Sequence, residues 1–295
     1  KMKRTILSLL IAVSVGTIST TAQTINKSED GKYSINAGNI TMTIDAAKGG
    51  KIVSYKYGDS EVLSQTRMAN SFGSKFWTSP QSEWNWPPVP EYDTRAFNAE
   101  IKGNTLVLTG DKSARFGYRI RKEFTTDAKD NAFVITYTII NESGEERKVA
   151  PWEISRVPNG GILFCDAKEA TPANNMEGLP FVAEQKALWY VLDESNSNRK
   201  VNIDGKGWLA FYDNGMLFVK KFADLTAEEP APAEGEIQIY ANPGKTFVEI
   251  EEQGAYTTLK AGEELSWTVR WYLIPSDLPE APSKKLLKKA LSLVK

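Results

Sequence analysis

The chain has 295 residues, of which 41% are hydrophobic and 25% are charged, as in an ordinary globular protein. Its 36 basic and 37 acidic residues nearly cancel, which argues against a nucleic-acid partner because such partners need a strongly basic surface. The absence of histidine excludes histidine-based catalytic triads and the commonest zinc sites. Residues 193–204 are rich in Asp and Asn but match no compact calcium loop, so we expect no metal and no cofactor.

The N-terminus has the pattern of an export signal. A basic start at residues 1–4 precedes an apolar run at residues 6–13, and small and hydroxyl residues follow up to Ala22. This is the order found in secretory signal peptides, and the apolar run is well short of the roughly 20 residues that span a bilayer. We therefore expect residues 1–22 to be a signal peptide and residues 23–295 to form one domain. The protein is then periplasmic or extracellular, with no stable membrane span.

Most of the remaining chain has the pattern of β-strands. β-Branched and aromatic residues alternate with polar ones in short runs separated by Gly, Asn and Asp, which predicts strands. The predicted strands are 39–45, 51–56, 96–101, 105–109, 118–126, 133–141, 148–157, 187–192, 208–212, 216–222, 237–240, 247–252, 256–260 and 265–274. Neighbouring strands joined by turns indicate an all-β antiparallel sandwich or barrel.

One segment reads clearly as a helix. Residues 283–295 place leucine, alanine and valine side chains at helical spacing against four lysines, the pattern of an amphipathic helix. We expect this helix to cap the sheet. The alternative is docking of its basic face on a membrane.

A loop rich in tryptophan and proline is the first candidate for function. Residues 82–88 read Ser-Glu-Trp-Asn-Trp-Pro-Pro, and their spacing can place Trp84 and Trp86 on one side of an extended segment. A sugar ring has apolar C–H faces and polar edges, so its binding sites pair aromatic platforms with carboxylates and amides. Trp84 and Trp86 would be the platforms, with Glu83 and Asn85 as edge partners. Alternatively, the indoles seal the end of the sandwich.

A predicted strand at residues 148–157 carries the next candidates. Strand alternation sends Trp152 and Arg156 to one face and Glu153 to the other. Trp152 is a candidate sugar contact. Glu153 is a candidate acid or base if its face lines a cavity, and an ordinary surface glutamate if that face meets water.

Charged residues on three further strands complete the candidate set. Glu249 and Arg270 could meet across a polar sheet face, either within a binding site or as a surface salt bridge. Arg119 shares a strand face with Arg121 and Glu123. An arginine there can hydrogen-bond vicinal hydroxyls or grip a carboxylate; exposed strand charge that discourages edge pairing is the alternative.

Several short segments resemble the galactose mutarotase-like (aldose epimerase-like) superfamily. They are Ala-Lys-Gly-Gly-Lys-Ile-Val-Ser at 47–54, Ile-Ile-Asn-Glu-Ser-Gly at 139–144, Phe-Val-Glu at 247–249 and Leu-Lys-Ala-Gly-Glu at 259–263. The tryptophan-rich loop and the ending Arg-Trp-Tyr at 270–272 resemble a secreted branch of unknown function within it. The resemblance implies an antiparallel β supersandwich with a sugar pocket on its concave sheet.

The resemblance also implies a mechanism from which this chain departs. In aldose mutarotases a glutamate deprotonates the anomeric hydroxyl while a histidine protonates the ring oxygen. Glu249 stands at the position resembling that glutamate, but the strand that carries the histidine reads Pro151-Trp152-Glu153 here. Either Glu153 replaces the acid or catalysis is absent. A protonated Glu153 beside an ionised Glu249 is chemically feasible, and the same pair would suit glycoside hydrolysis.

Three hypotheses follow. The first is an exported protein that binds a mono- or oligosaccharide on a mutarotase-like fold; the second is a histidine-free carbohydrate-active enzyme, either an epimerase or a carboxylate-pair glycoside hydrolase. The third is a non-catalytic envelope module that binds a protein partner. The first two require Trp84, Trp86, Arg119, Glu153 and Glu249 to converge on one cleft. The sequence predicts no oligomeric state.

Overall fold

The computed structural model describes residues 23–68 and 72–295; the predicted signal peptide lies outside these residues. The strands up to the middle of the chain are β1 (Thr24–Lys27), β2 (Tyr33–Ala37), β3 (Ile40–Asp45), β4 (Lys51–Tyr57), β5 (Ser60–Glu61), β6 (Ser74–Ser79), β7 (Asn98–Lys102), β8 (Thr105–Thr109), β9 (Tyr118–Asp127), β10 (Ala132–Asn141) and β11 (Arg147–Pro158). Those that follow are β12 (Ile162–Cys165), β13 (Thr171–Pro172), β14 (Val182–Glu184), β15 (Ala187–Val191), β16 (Arg199–Ile203), β17 (Trp208–Asp213), β18 (Met216–Lys221), β19 (Ile237–Ala241), β20 (Phe247–Gln253), β21 (Thr257–Leu259) and β22 (Glu264–Pro275). The helices are a 3₁₀ turn at Gln81–Glu83, α1 (Pro90–Asp93) and α2 (Lys284–Leu291).

The strands form two antiparallel sheets that pack face to face. The first sheet has 12 strands in the order β1-β2-β3-β4-β6-β11-β20-β19-β16-β13, with β5 beside β4 and β21 beside β11. The second has 10 strands in the order β14-β15-β12-β17-β18-β22-β10-β9-β8-β7. The large hydrophobic core lies between them. The predicted antiparallel β supersandwich with a C-terminal helix is confirmed.

Strand β6 is absent from the predicted strands, and its burial explains why. All six of its residues are buried, so no alternation of apolar and polar residues marks it in the sequence. Phe76 stacks on Tyr137 of the second sheet, with ring centroids 4.5 Å apart. Lys75 and Trp77 therefore point away from the core, because neighbouring side chains on a strand leave opposite faces.

Helix α2 covers the outer face of the second sheet. Ser283 is its N-cap and accepts a hydrogen bond from the Leu286 backbone N–H at 3.2 Å. Leu286, Leu287 and Ala290 are buried in a second hydrophobic cluster that includes Tyr272 of β22. The predicted capping helix is thus present. None of the helices in the described part of the chain is long and apolar enough to span a membrane.

Candidate functional site

A cleft of about 660 Å³ opens on the outer face of the first sheet. Glu153 of β11 and Glu252 of β20 both contact Lys220 of the second sheet, so they face the core. Alternate side chains on the same strands, among them Trp152 and Glu249, must then face outward. This outer-face cleft is lined by Met68, Lys75, Trp77, Gln81, Trp86, Trp152, Arg156, Asn174, Met176, Asn198, Lys200, Tyr240, Asn242, Phe247, Glu249 and Glu251.

Tryptophan side chains build one end of the cleft. Trp77 of β6 is buried and makes edge-to-face contacts with Trp152 at 5.5 Å and with Trp86 at 6.2 Å between ring centroids. Trp86 is 65% exposed. A large indole that is held at a fixed angle by a buried neighbour and still meets solvent is a ready-made flat apolar surface for a ligand.

A three-charge cluster occupies the centre of the cleft. The Glu249 Oε1 atom lies 3.0 Å from Lys75 Nζ and accepts a 2.8 Å hydrogen bond from Arg156 Nε. Burial by itself would raise the pKa of Glu249, but the two cations and their hydrogen bonds outweigh it and lower this pKa to about 2. Lys75 also lies 4.4 Å from the ring centroid of Trp77, and Arg156 lies 3.8 Å from that of Phe247. Glu249 is therefore a permanently ionised carboxylate.

A second carboxylate, Glu251, lies two residues further along β20. Its Oε2 atom accepts hydrogen bonds from Lys200 Nζ at 3.1 Å and from Trp152 Nε1 at 3.0 Å. Burial raises the pKa of Glu251 to about 7, assisted by the charge of Glu249 and opposed by that of Lys200. This carboxyl group can therefore gain or lose a proton near neutral pH, whereas Glu249 cannot.

Amide groups surround the charged centre. Gln81, Asn174, Asn198 and Asn242 line the cleft, and the Tyr240 hydroxyl donates to Asn198 Oδ1 at 2.6 Å. Amide and hydroxyl groups both donate and accept hydrogen bonds, as sugar hydroxyls do. The lining thus combines aromatic, charged and amide groups in one concavity.

Contacts behind the lining fix the aromatic end. Asp93, at the end of α1, accepts a 3.1 Å hydrogen bond from Trp77 Nε1 and lies 3.3 Å from Lys51 Nζ. On the other side, Arg115 donates to the carbonyl oxygens of Glu83 and Trp84 at 3.2 and 3.1 Å. The indole of Trp77 and the backbone of the tryptophan-rich loop are therefore both held by charged groups outside the cleft.

The four candidates of the tryptophan-rich loop have different surroundings. Trp86 lines the cleft. Trp84 is 2% exposed, its indole N–H donates to the Thr78 carbonyl oxygen at 2.8 Å, and it packs on Trp77. Its proposed role as a platform is therefore corrected to packing. Glu83 and Asn85 are not among the described residues that line the cleft, so they do not serve it as edge partners in this structure.

Glu153 also requires a correction, because it lies inside the sandwich. It accepts hydrogen bonds from Tyr137 Oη at 2.5 Å and Trp271 Nε1 at 3.0 Å, and its carboxylate is 2.6 Å from Lys220 Nζ. Burial opposes its ionisation, but Lys220 and the hydrogen bonds prevail and lower its pKa. Glu153 and Glu249 are therefore on opposite faces of the first sheet and do not form a catalytic pair.

The two candidate arginines are outside the cleft as well. Arg119 on β9 forms a bidentate ion pair with Glu142, with N···O distances of 2.8 and 3.1 Å. Arg270 on β22 pairs with Asp127 at 3.0 Å. Both strands belong to the second sheet, whereas Glu249 belongs to the first. Glu249 and Arg270, which the sequence allowed to meet across a sheet face, therefore do not meet, and Trp86, Trp152 and Glu249 are the predicted residues that the structure brings together.

Sequence reasoning missed most of the polar groups in the cleft. Glu251 and Arg156 could have been predicted from strand alternation. Glu251 shares a strand face with the candidate Glu249, and Arg156 shares one with the candidate Trp152. Lys75 lies on the unrecognised strand β6, and Lys200 on the short strand β16 carries no local signal.

Within residues 23–68 and 72–295, no group of three or more Cys, Asp or Glu side chains is placed to hold a metal ion.

Comparison with known proteins identifies the fold. No protein-family model and no curated protein matches the chain. Among solved structures, it is similar to a proposed aldose 1-epimerase from Escherichia coli K12, with a TM-score of 0.60 and 12% identity over 86% of this chain and 100% of the other. It is also similar to a galactose mutarotase-like protein from Lactobacillus casei, with a TM-score of 0.59 and 13% identity over 83% of this chain and 100% of the other. It is similar as well to a galactose mutarotase related enzyme from Lactobacillus acidophilus, with a TM-score of 0.59 and 10% identity over 83% of this chain and 98% of the other. The chain has the galactose mutarotase-like fold.

Proposed function

We propose that the protein binds carbohydrate in the outer-face cleft. The observation that carries the proposal is the indole of Trp86, 65% exposed and standing edge-to-face on buried Trp77 at the end of a polar concavity. Sugars need an aromatic face for their C–H groups and hydrogen-bonding groups for their hydroxyls. The volume of about 660 Å³ lies within the usual range for small-ligand pockets, roughly 300–1,000 Å³. The solved mutarotase-like proteins of the same fold support the same ligand class.

A glycan array followed by calorimetry tests this proposal. We expect residues 23–295 to bind at least one mono- or oligosaccharide, and Trp86→Ala to weaken that binding about tenfold or more, the effect of losing ~1.4 kcal/mol. Val191→Ala is the control, because Val191 is similarly exposed at 55% but lies on the second sheet. Binding that survives Trp86→Ala unchanged would refute the cleft as the site. Failure to bind any glycan would favour the protein-partner hypothesis.

Catalysis is a second candidate function, and the pair Glu249 and Glu251 favours it. Glu251 exchanges a proton near pH 7, while Glu249 stays ionised beside two cations. A poised carboxyl next to a fixed anion can serve proton transfer at a sugar without histidine. Glu249 itself is a weak base with so low a pKa, so Glu251 is the better acid or base. NMR of the anomeric protons checks this: acceleration of interconversion or cleavage by the protein, lost in Glu251→Gln, is the expected result.

Export belongs to the same proposal. The pattern of residues 1–22 supports it, and a sugar ligand outside the cytoplasm is consistent with it. N-terminal sequencing of protein recovered from the periplasm or medium is expected to begin at Gln23. Recovery of the uncleaved chain from the cytoplasm would contradict export.

A further inference from the structure

We propose that the outer-face cleft selects saccharides that carry an anionic substituent, a carboxylate or a sulfate ester, over neutral ones of the same sugar. This inference rests on the proposed function, and it names the ligand class of the same site. It comes from the number and the crowding of the charges in the cleft, not from its aromatic groups.

The charges of the lining do not balance. Among the described residues that line the cleft, the cations are Lys75, Arg156 and Lys200, and the acids are Glu249 and Glu251. The cleft therefore keeps a positive charge even with both acids ionised. Burial raises the pKa of Glu251 to about 7. When Glu251 is protonated, it no longer offsets the charge of Lys200, and the net charge of the cleft becomes more positive by one. A concave site with a net charge concentrates its field and attracts ligands of the opposite sign.

Two of these cations are crowded against one carboxylate oxygen. Lys75 and Arg156 both approach one oxygen of Glu249, Oε1, at 3.0 and 2.8 Å. One carboxylate oxygen is thus shared by two basic side chains. Burial lowers the pKa of Lys75, and the charge of Arg156 lowers it further, although Glu249 opposes both. Cations held this close repel each other, so a second anion in the cleft would relieve the repulsion.

A further cation, Lys51, lies behind the residues that line the cleft. Burial lowers the pKa of Lys51, the ion pair with Asp93 opposes this, and the charges of Lys75 and Arg156 lower the pKa further. Lys75 and Arg156 in the lining and Lys51 behind it therefore form one interacting group of cations. Arginine and lysine are also the side chains that form the strongest hydrogen bonds to carboxylates and sulfate esters. A sugar docked on Trp86 has such a group within the same concavity.

Paired glycans test the inference directly. We would array galacturonate, glucuronate and mannuronate oligosaccharides, each beside its methyl ester, and sulfated saccharides beside their desulfated forms. Each pair shares its sugar, its length and its linkage, and its members differ in charge and in the one group, a methyl ester or a sulfate ester, that changes it. We expect the charged member of the best pair to bind about tenfold more tightly, as one charge-assisted hydrogen bond provides. The preference should shrink as salt is raised. A preference within the uronate pairs shows that the cleft recognises a carboxylate, and a preference within the sulfate pairs shows that it recognises a sulfate ester.

Two variants with opposite effects link the preference to the cleft. Glu251→Gln removes a negative charge and keeps the acceptor for Trp152, so the affinity ratio of charged to neutral sugar should rise several-fold at pH 8. Lys200→Met should lower that ratio. Lys206→Met is the control for the charge that Lys200→Met removes, because Lys206 is exposed, lies outside the cleft lining and has Asp224 3.9 Å away. Circular dichroism establishes that each variant is folded.

The outcomes separate this inference from the function on which it rests. Equal affinity within every pair, or tighter binding of the neutral member, overturns the inference and leaves carbohydrate binding intact. Binding of neither member of any pair, nor of any neutral glycan, overturns the proposed function and the inference with it. A preference that Glu251→Gln and Lys200→Met leave unchanged would show that the affinity ratio does not follow the net charge of the cleft, and it would overturn the inference.

Discussion

Trp84 and Trp86 are two residues apart, yet only the second reaches solvent. Trp84 is 2% exposed and Trp86 is 65% exposed, and both contact the ring of Trp77, at 5.3 and 6.2 Å between centroids. Asn85 between them has a positive φ of 57°, so the segment turns there instead of running straight. The turn places one indole beneath Trp77 and the other at the mouth of the cleft.

This relationship gives the first prediction. Trp84→Ala should destabilise the fold by about 3–5 kcal/mol, because it empties a buried indole site and leaves the Thr78 carbonyl without its donor. Trp86→Ala should change the free energy of unfolding by less than about 0.5 kcal/mol while it weakens sugar binding about tenfold or more. Urea unfolding monitored by circular dichroism measures both. Equal loss of stability in the two variants would contradict the assignment of Trp86 to the ligand.

The same loop shows how far sequence reasoning reaches. Alternation of side chains predicts that Trp152 and Glu153 leave opposite faces of their strand, as they do, and Trp86 and Glu249, both candidates from the sequence, line the cleft. The prediction places Trp84 beside Trp86 because it assumes an extended segment. The left-handed backbone at Asn85 has no sequence signal other than the residue type itself.

The remaining errors concern pairing between strands. Periodicity assigns a residue to a face of a strand, but it does not tell which sheet the strand joins. Glu249 and Arg270 were therefore placed together although their strands belong to opposite sheets. Likewise, the outward or inward direction of the Glu153 face depends on the second sheet, which supplies Lys220. Which sheet a strand joins depends on packing between residues that are far apart in the sequence, and a local pattern does not show it.

The buried pair Glu153 and Glu252 yields a prediction about stability and pH. Burial, reinforced by Glu153 and opposed by Lys220, raises the pKa of Glu252 well above its usual range. A carboxyl whose folded-state pKa is raised stabilises the fold below its unfolded pKa, near 4.5. That contribution is lost as the pH rises toward the folded-state pKa. The slope is up to about 1.4 kcal/mol per pH unit.

Glu252→Gln tests this pH dependence, because glutamine resembles the neutral carboxyl. The variant should gain stability relative to the wild type as the pH increases from 5 to 8, by on the order of 1 kcal/mol or more. Glu228→Gln, at an exposed position, should show no such trend. Glu153→Gln should instead destabilise between pH 5 and 8 by about 3–5 kcal/mol, since it removes one of the two carboxyl partners of buried Lys220. A pH-independent difference between Glu252→Gln and the wild type would refute the protonated state of Glu252.

Titration of Glu251 predicts how pH affects binding in the cleft. With a pKa raised to about 7, Glu251 is mostly neutral at pH 6 and mostly ionised at pH 8, where it offsets the charge of Lys200. Affinity for an anionic saccharide should therefore fall as the pH rises through 7, by about tenfold or less. Calorimetry of the wild type and of Glu251→Gln measures this. The variant should give a flat profile, and an equal decline in both would assign the pH dependence to another group.

The C-terminal helix supplies a prediction about the opposite side of the molecule. Leu286 is fully buried between α2 and the second sheet, so Leu286→Ala should cost about 2–5 kcal/mol. Lys285→Ala, at the adjacent exposed position, should cost less than about 0.5 kcal/mol. Ser283→Ala removes the N-cap acceptor of the Leu286 N–H and should cost about 1 kcal/mol. Because the helix is remote from the cleft, which lies on the outer face of the first sheet, all three folded variants should bind sugar like the wild type. Loss of binding in a folded Leu286→Ala protein would show that the two outer faces are coupled through the core.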